Sequence, residues 1–77
     1  MNDHELIIQR LYDLIRERNI TINRLATLSG VRQSTITSLI ERPTGVPKAD
    51  TLRKLCQGLD ISVRDFFDFP PYNEVER

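Results

Sequence analysis

Gly30 lies between two short segments that both have helical spacing, and this arrangement constrains the fold more than any other feature of the chain. The stretch reads "RLATLSGVRQSTITSLI" (residues 24–40). Apolar residues recur at helical spacing on both sides of the glycine: Leu25, Ala26 and Leu28 before it, and Ile36, Leu39 and Ile40 after it. Glycine readily adopts the left-handed conformation that ends many helices. The pattern therefore predicts two helices, 22–29 and 33–41, with these side chains facing inward and a tight turn at Gly30.

Helical spacing continues outside this pair and predicts an all-α fold of five helices. The other three are expected over residues 3–18, over 49–59 and in a short segment after Ser62. Residues that can cap a helix start are present: Asn2, Thr21 and Ser62. Glu5 and Asp65 complete capping boxes with the first and last of these, and Asn19 is a plausible left-handed C-cap. The segment "RPTGVPK" (42–48) is a loop, because its prolines and glycine do not continue a helix.

Several single residues carry expectations of their own. His4 is expected to be exposed in the first turn, Cys56 to be a small core residue, and Phe66 and Phe67 to face the core. The sequence leaves open whether the segment 69–72 is a packed tail or a dimer contact. We place a helix-turn-helix domain at residues 1–69 and a short C-terminal tail at 70–77.

Charge is unevenly distributed along a chain whose formal net charge is zero. Residues 16–54 hold eight basic and three acidic side chains, a net charge of +5, whereas residues 1–15 and 55–77 carry −2 and −3. A local basic face can approach nucleic acid while acidic ends face away from it. The distribution is therefore compatible with a DNA-binding domain even though the total is neutral.

The sequence gives little support for an enzyme, a metal-binding protein or a membrane protein. His4 and Cys56 are the only histidine and cysteine, they lie 52 positions apart, and no Gly-rich phosphate loop or metal-ligand spacing is present. We expect no enzyme activity, no catalytic or metal-binding residues, no cofactor and no small-molecule ligand. The acidic N-terminus is not a signal peptide and no apolar run is long enough for a membrane span, so a cytoplasmic location without membrane contact is expected.

The central segment forms a helix-turn-helix pattern that resembles a known family. Ala26 lies four positions before Gly30, where two crossing helices leave room for a small side chain, and Val31, Ile36 and Leu39 can pack the third helix onto the second. "TINRLATLSGVRQSTITSLIE" and "TLRKLCQGLDISVRDFF" resemble the second to fifth helices of the Cro/cI-type (XRE-like) repressors of bacteria and phages. The resemblance covers about residues 6–69. It implies a compact, lambda-repressor-like DNA-binding domain.

The resemblance also implies where DNA would be bound. In this family the third helix enters the major groove, and its first residues reach base edges. The implied base-contacting residues are Arg32, Gln33, Ser34, Thr37 and Ser38. The implied backbone-contacting residues are Thr21, Asn23, Thr35, Arg42, Thr44 and Lys48. Ala26 and Gly30 are the structural residues of the turn in this interpretation.

The sequence departs from the family pattern at three positions. A glutamine that often follows the second helix's N-cap is Ile22 here, the usual Ser/Thr cap of the third helix is Arg32, and a glycine common after the fourth helix is Asp60. Gly58 instead lies inside the predicted fourth helix. Each departure is expected to cost about 1 kcal/mol or less.

We therefore predict a transcriptional regulator, most simply a repressor, that binds a palindromic operator in double-stranded DNA as a homodimer. Two other hypotheses remain open at this point. The chain could be an antitoxin-like module whose main partner is a protein, or a degenerate domain that no longer binds DNA. A further alternative is that the serines and threonines of the third helix are simply solvated surface.

Overall fold

A computed structural model describes residues 1–75 as an all-helical domain without strands in that range. Its helices are α1 (Asp3–Glu17), α2 (Ile22–Ser29), α3 (Gln33–Glu41), α4 (Ala49–Gly58) and α5 (Val63–Phe66). The bounds of α2 and α3 are the ones that the sequence predicts, and α1 and α4 each end one residue earlier than predicted. The predicted all-α, five-helix fold is therefore confirmed.

The starts of α1, α2 and α5 are capped by the side chains that the sequence indicates. Asn2 Oδ1 accepts a hydrogen bond from the Glu5 backbone N–H at 2.8 Å, and Ser62 Oγ accepts one from Asp65 at 2.9 Å. The chain then leaves α2 through Gly30, whose φ of 71° is left-handed. Asn19 and Asp60 take the same conformation after α1 and α4, with φ values of 52° and 58°. Asp60 thus serves where the family usually has glycine, because Asp tolerates this region better than most residues.

The core is built mainly from aliphatic side chains of all the helices. Its most deeply buried members are Leu11, Leu25, Ile36, Leu55, Cys56, Leu59 and Phe66. The spacing of these residues gives each of the four longer helices an apolar stripe, and the stripes meet in one cluster. Cys56 is a core residue as predicted, Phe66 is fully buried and Phe67 is half-buried against the cluster.

Close packing of α4 on the end of α2 depends on Gly58. A β-carbon placed on Gly58 would lie 2.9 Å from Ser29 Cβ and 3.0 Å from the Ser29 backbone nitrogen. These distances are shorter than van der Waals contact, so only a residue without a side chain fits. The glycine that the sequence presents as a cost to α4 is therefore required by the packing of α4 on α2.

Arg10 of α1 and Arg18, the residue that follows α1, bind the carboxyl-terminal ends of other helices. Arg10 donates from Nε to the Phe66 carbonyl at 2.9 Å and from Nη2 to the Asp65 carbonyl at 3.0 Å. Arg18 donates from Nε to the Leu59 carbonyl at the end of α4. Carbonyls in the last turn of a helix lack partners inside the helix, and a cation there also complements the helix dipole. Both arginines thus stabilise the fold.

The segment after α5 folds back onto the domain. The Phe67 and Tyr72 rings meet edge to face with centroids 4.9 Å apart, and Phe69 and Tyr72 do so at 5.2 Å. The Tyr72 hydroxyl donates a hydrogen bond to Asp3 Oδ1 in the first turn of α1. Of the two interpretations of this segment, the structure supports the packed tail. Residues 76–77 of the predicted tail lie outside the described residues.

Two expectations about single residues are wrong. His4 is buried, with 7% of its surface exposed, and its ring bonds to the Gly45 carbonyl in the loop between α3 and α4. Leu28 is 45% exposed instead of facing inward. The inner stripe of α2 is centred on Leu25, with Ile22 and Ala26 beside it, and Leu28 lies on the flank of that stripe.

Candidate nucleic-acid interface

The face of α3 that points away from the core is polar and exposed. Ile36 and Leu39 hold the helix on the domain and are 1% and 7% exposed. The residues between and before them carry short polar side chains: Gln33, Ser34, Thr35 and Ser38 are exposed, and Thr37 is half-buried. Short polar side chains let another molecule approach the helix closely and can both donate and accept hydrogen bonds. The face is thus suited to a polar surface such as base edges.

The start of α3 has no side-chain cap. Arg32 occupies the N-cap position with extended backbone angles, φ −61° and ψ 139°, and makes no capping hydrogen bond. Its own side chain is exposed. The first backbone N–H groups of α3 therefore lack side-chain acceptors within the described residues. A helix start of this kind presents partial positive charge and free donors at the end of the helix where Gln33 lies.

The start of α2 is capped in a way that leaves one donor available. Thr21 Oγ1 accepts from the Arg24 backbone N–H at 3.0 Å, so its hydroxyl hydrogen remains free to donate. Thr21 and Asn23 are both exposed. Ile22, the departure from the family pattern, packs against the core cluster and offers no polar group.

A groove lies between α3, the following loop and the start of α4. It encloses about 380 Å³ and is lined by Ser34, Thr35, Ser38, Leu39, Arg42, Val46, Pro47, Lys48 and Thr51. Five of the predicted DNA-contacting residues therefore share this concave surface. Thr21, Asn23, Arg32, Gln33, Thr37 and Thr44 are not among its lining residues. The sequence does not predict three of the lining residues, Val46 and Pro47 of the loop and Thr51 of α4, because they belong to no motif.

Basic side chains around this surface are not neutralised by the protein. In residues 1–75 the ion pairs join Arg16 to Asp13 at 3.4 Å and Arg18 to Glu17 at 4.0 Å. The remaining basic residues of the central segment are exposed and form no ion pair in that range: Arg24, Arg32, Arg42, Lys48, Arg53 and Lys54. A phosphate backbone attracts cations of this kind. The excess positive charge of the central segment therefore remains exposed and unpaired in the folded residues 1–75.

Other chemistry has little support in the structure. The described residues contain no group of three or more His, Cys, Asp or Glu side chains arranged to hold a metal ion. Burial raises the pKa of the Cys56 thiol above its ordinary value, which keeps the thiol protonated and unreactive. No helix within residues 1–75 has the length and apolar character needed to cross a bilayer.

Comparison with known families settles the class of protein. Residues 10–72 match the Cro/C1-type HTH DNA-binding domain. The chain belongs to this family. The match runs from the middle of α1 to Tyr72, so it includes the segment 67–72 after α5 as well as the helix-turn-helix. The Cro/C1-type domain is a DNA-binding module of transcriptional regulators and not an enzyme class.

Individual relatives of this Cro/C1-type chain are also regulators. It is 42% identical over 53 residues to the HTH-type transcriptional repressor RghR of Bacillus subtilis (strain 168), covering 69% of this chain and 39% of the relative. It is 38% identical over 53 residues to the uncharacterized HTH-type transcriptional regulator RghRB of the same organism, covering 69% of this chain and 38% of that one. The chain thus spans about two fifths of the length of these curated relatives.

A solved structure shares the whole fold. The crystal structure of the prophage Lp1 protein 11 superposes with a TM-score of 0.87 at 51% sequence identity, covering 97% of this chain and 100% of that chain. The five-helix architecture described above is therefore also found in an experimentally determined relative.

Proposed function

We propose that this Cro/C1-type domain is a sequence-specific transcriptional repressor that acts in the cytoplasm and places α3 in the major groove of its operator. The observation that carries the proposal is the exposed polar face of α3 beside cations that have no partner in the described fold. Short polar side chains read base edges, and unpaired cations bind phosphates.

The base-reading role falls to residues on the exposed face and at the start of α3. Gln33 can bond an adenine through its amide, and Arg32 can bond a guanine through its guanidinium. Ser34, Thr37 and Ser38 lie farther along the helix and suit shorter contacts. Thr37 is half-buried, so its reach is the smallest of the set.

The phosphate-binding role falls to two groups on either side of α3. Thr21 and Asn23 lie at the start of α2, where the free hydroxyl hydrogen of Thr21 and the helix N-terminus suit an anion. Thr35, Arg42, Thr44 and Lys48 belong to the other side, and three of them line the groove. Two such groups would bind the DNA backbone on both edges of one major groove.

A homodimer on a palindromic site fits the dimensions of the domain. The principal extents are 39, 25 and 22 Å. Half-sites of helix-turn-helix dimers lie about 34 Å apart, one helical turn of DNA. That spacing lies between the shortest and the longest extents, so two copies side by side on one face of the duplex can each reach one half-site. A bound dimer would repress by covering a promoter.

Selection of binding sites from a random duplex pool, at two salt concentrations, tests the proposal. An enriched palindrome whose affinity falls as salt rises supports it, because the salt dependence reports phosphate contacts. If nothing is enriched at low salt, the protein-partner hypothesis gains instead. Tyr72, in the segment after α5, already packs against the core and is less available to such a partner.

Gln33→Ala tests the base-reading role of α3. Loss of a bidentate base contact is expected to cost about 1–3 kcal/mol on the selected site and to relax the choice of base at one position. Fluorescence anisotropy on the selected site and on random duplex measures both effects. Equal losses on the two duplexes would show that Gln33 does not read a base.

A further inference from the structure

The loop between α3 and α4 has almost no hydrogen bonding of its own. Residues 43–47 make no backbone–backbone hydrogen bond to any other described residue. Among the described residues, two hydrogen bonds reach this segment, and both come from side chains that lie 41 positions earlier in the chain. Asn2 donates from Nδ2 to the Pro43 carbonyl at 3.4 Å, and His4 bonds through Nδ1 to the Gly45 carbonyl.

The chemistry of the His4 contact assigns its proton. A carbonyl oxygen only accepts, so Nδ1 must carry the hydrogen and donate it. The imidazole is buried beneath the loop, with 7% of its surface exposed. His4 therefore fixes the loop by packing as well as by a hydrogen bond. A solvated first-turn residue could do neither.

The held carbonyl belongs to Gly45, where the loop packs closely on Arg42. A β-carbon placed on Gly45 would lie 2.9 Å from Arg42 Cδ and 3.2 Å from Arg42 Cβ. The loop thus folds back over the stem of the Arg42 side chain. The position of Gly45 and the direction of Arg42 are coupled, and Lys48 follows three residues later at the start of α4.

We propose that His4, assisted by Asn2, is a positioning residue for DNA binding that orders the 42–48 loop before DNA arrives. This inference rests on the proposed function, since it assigns phosphate contacts to Arg42, Thr44 and Lys48. Ordering a mobile loop at the moment of binding costs conformational entropy that lowers affinity. A loop already held by α1 avoids that cost. His4 touches no DNA in this arrangement and acts through the loop.

Three variants separate this role from a general effect on stability. His4→Leu fills the space but removes the donor. His4→Asn restores a donor, because the amide Nδ2 is attached at the same point of the side chain as the imidazole Nδ1. Arg10→Lys is the matched control: it lies on the same helix and keeps its charge, but a lysine cannot donate to two carbonyls of α5 in the fork geometry of arginine.

The first readout needs no DNA. Backbone ¹⁵N relaxation is expected to show that Thr44, Gly45 and Val46 are ordered in the wild-type chain and in His4→Asn. In His4→Leu their order parameters should fall toward about 0.6 or below. Arg10→Lys should leave them unchanged even if it melts at a lower temperature. A loop that stays ordered in folded His4→Leu would overturn the inference.

The second readout is the salt dependence of binding to the selected duplex. We expect His4→Leu to bind about fivefold more weakly, as loss of one ordinary hydrogen bond implies. Its plot of log affinity against log salt should flatten by about one unit per disordered phosphate contact, with recovery in His4→Asn. A mobile loop with an unchanged slope would overturn the role in DNA binding.

Failure of this inference is distinguishable from failure of the proposed function. If the wild-type chain selects no duplex, the proposed function fails and the role of His4 in DNA binding fails with it. The relaxation measurement still decides whether His4 orders the loop. Should His4→Leu not fold, Asn2→Ser takes its place, because serine can cap α1 but is too short to keep the bond to Pro43.

Discussion

Gly30 and Gly58 are both required by the fold, but for different physical reasons. Gly30 has a φ of +71°, and nothing lies within 4 Å of the β-carbon that it lacks. Its constraint is conformational, since side chains disfavour that backbone region. Gly58 is helical and its constraint is spatial, because Ser29 occupies the place of a side chain.

Gly58→Ala should destabilise the domain although alanine is the better helix former. The gain in helix propensity is about 1 kcal/mol. Forcing a methyl group against Ser29 costs about 1–3 kcal/mol. We expect a net loss of about 1 kcal/mol in the free energy of unfolding, measured by urea denaturation. Gln57→Ala, at the exposed neighbouring position, is the control, and a Gly58→Ala variant as stable as wild type would refute the tight crossing.

Cys56 gives the stability of the domain a dependence on alkaline pH. Burial raises the pKa of the folded thiol above its ordinary value of 9.0. The unfolded chain therefore loses its proton first, so the stabilisation is complete below pH 9 and is lost as pH rises through the folded pKa. Urea denaturation should show that the free energy of unfolding falls more from pH 7 to pH 10 in the wild type than in Cys56→Ala. Equal falls would mean that the thiol does not contribute.

At the scale of the elements, α3 combines a weak start with the exposed polar face. Its N-cap is Arg32, which cannot accept from the backbone, whereas Asn2, Thr21 and Ser62 cap their helices in the usual way. A residue that is poor for the helix but suited to DNA is expected at a functional site.

Arg32→Ser should therefore improve the fold and impair the function. A serine cap is expected to raise the free energy of unfolding by about 1 kcal/mol. Loss of the guanidinium should weaken binding to the selected duplex by about 1–3 kcal/mol. Thermal denaturation and anisotropy measure the two effects. Arg32→Ala lacks both the cap and the cation, so it should lose affinity without gaining stability; a gain in Arg32→Ala would rule out capping as the cause.

Local signals predict most of the secondary structure of this chain. Thr21, Gly30 and Ser62 act on backbone groups within a few residues, so the sequence alone locates the helix ends that they control. Contacts between distant parts of the chain are invisible to such signals. His4 is bonded to a loop 41 positions away, and Gly58 is packed against Ser29 of α2. The residues next to His4 and Gly58 in the sequence do not reveal these distant contacts.

The candidate site also has a part that the sequence predicts and a part that it does not. The exposed face of α3 follows from helical spacing together with the family resemblance, and its residues are exposed or half-buried as a contact surface requires. The groove beside it was not predicted, because Val46, Pro47 and Thr51 join it through the path of the loop. The direct contacts with DNA remain predictions.

At the scale of the whole molecule, a net charge of zero does not prevent salt-sensitive binding. Lys48→Ala should weaken binding to every duplex and flatten the salt dependence by about one unit per half-site. Lys54→Ala removes the same charge from α4 at a residue that does not line the groove. This variant should flatten the salt dependence of binding less than Lys48→Ala does. Anisotropy titrations at several salt concentrations measure the slopes. Equal slopes for the two variants would indicate a diffuse charge effect without a contact at Lys48.

The contacts that α1 makes with α5 and with Tyr72 also bear on the order of events in folding. They join residues 55 to 69 positions apart, so nearly the whole chain must be gathered before they form. Loop closure costs more entropy as the loop lengthens, and the cost is repaid only when the contact is complete. We expect the two ends of the domain to meet last during folding and to separate first during unfolding. The helices proposed to read DNA would then be the part of the molecule that persists longest.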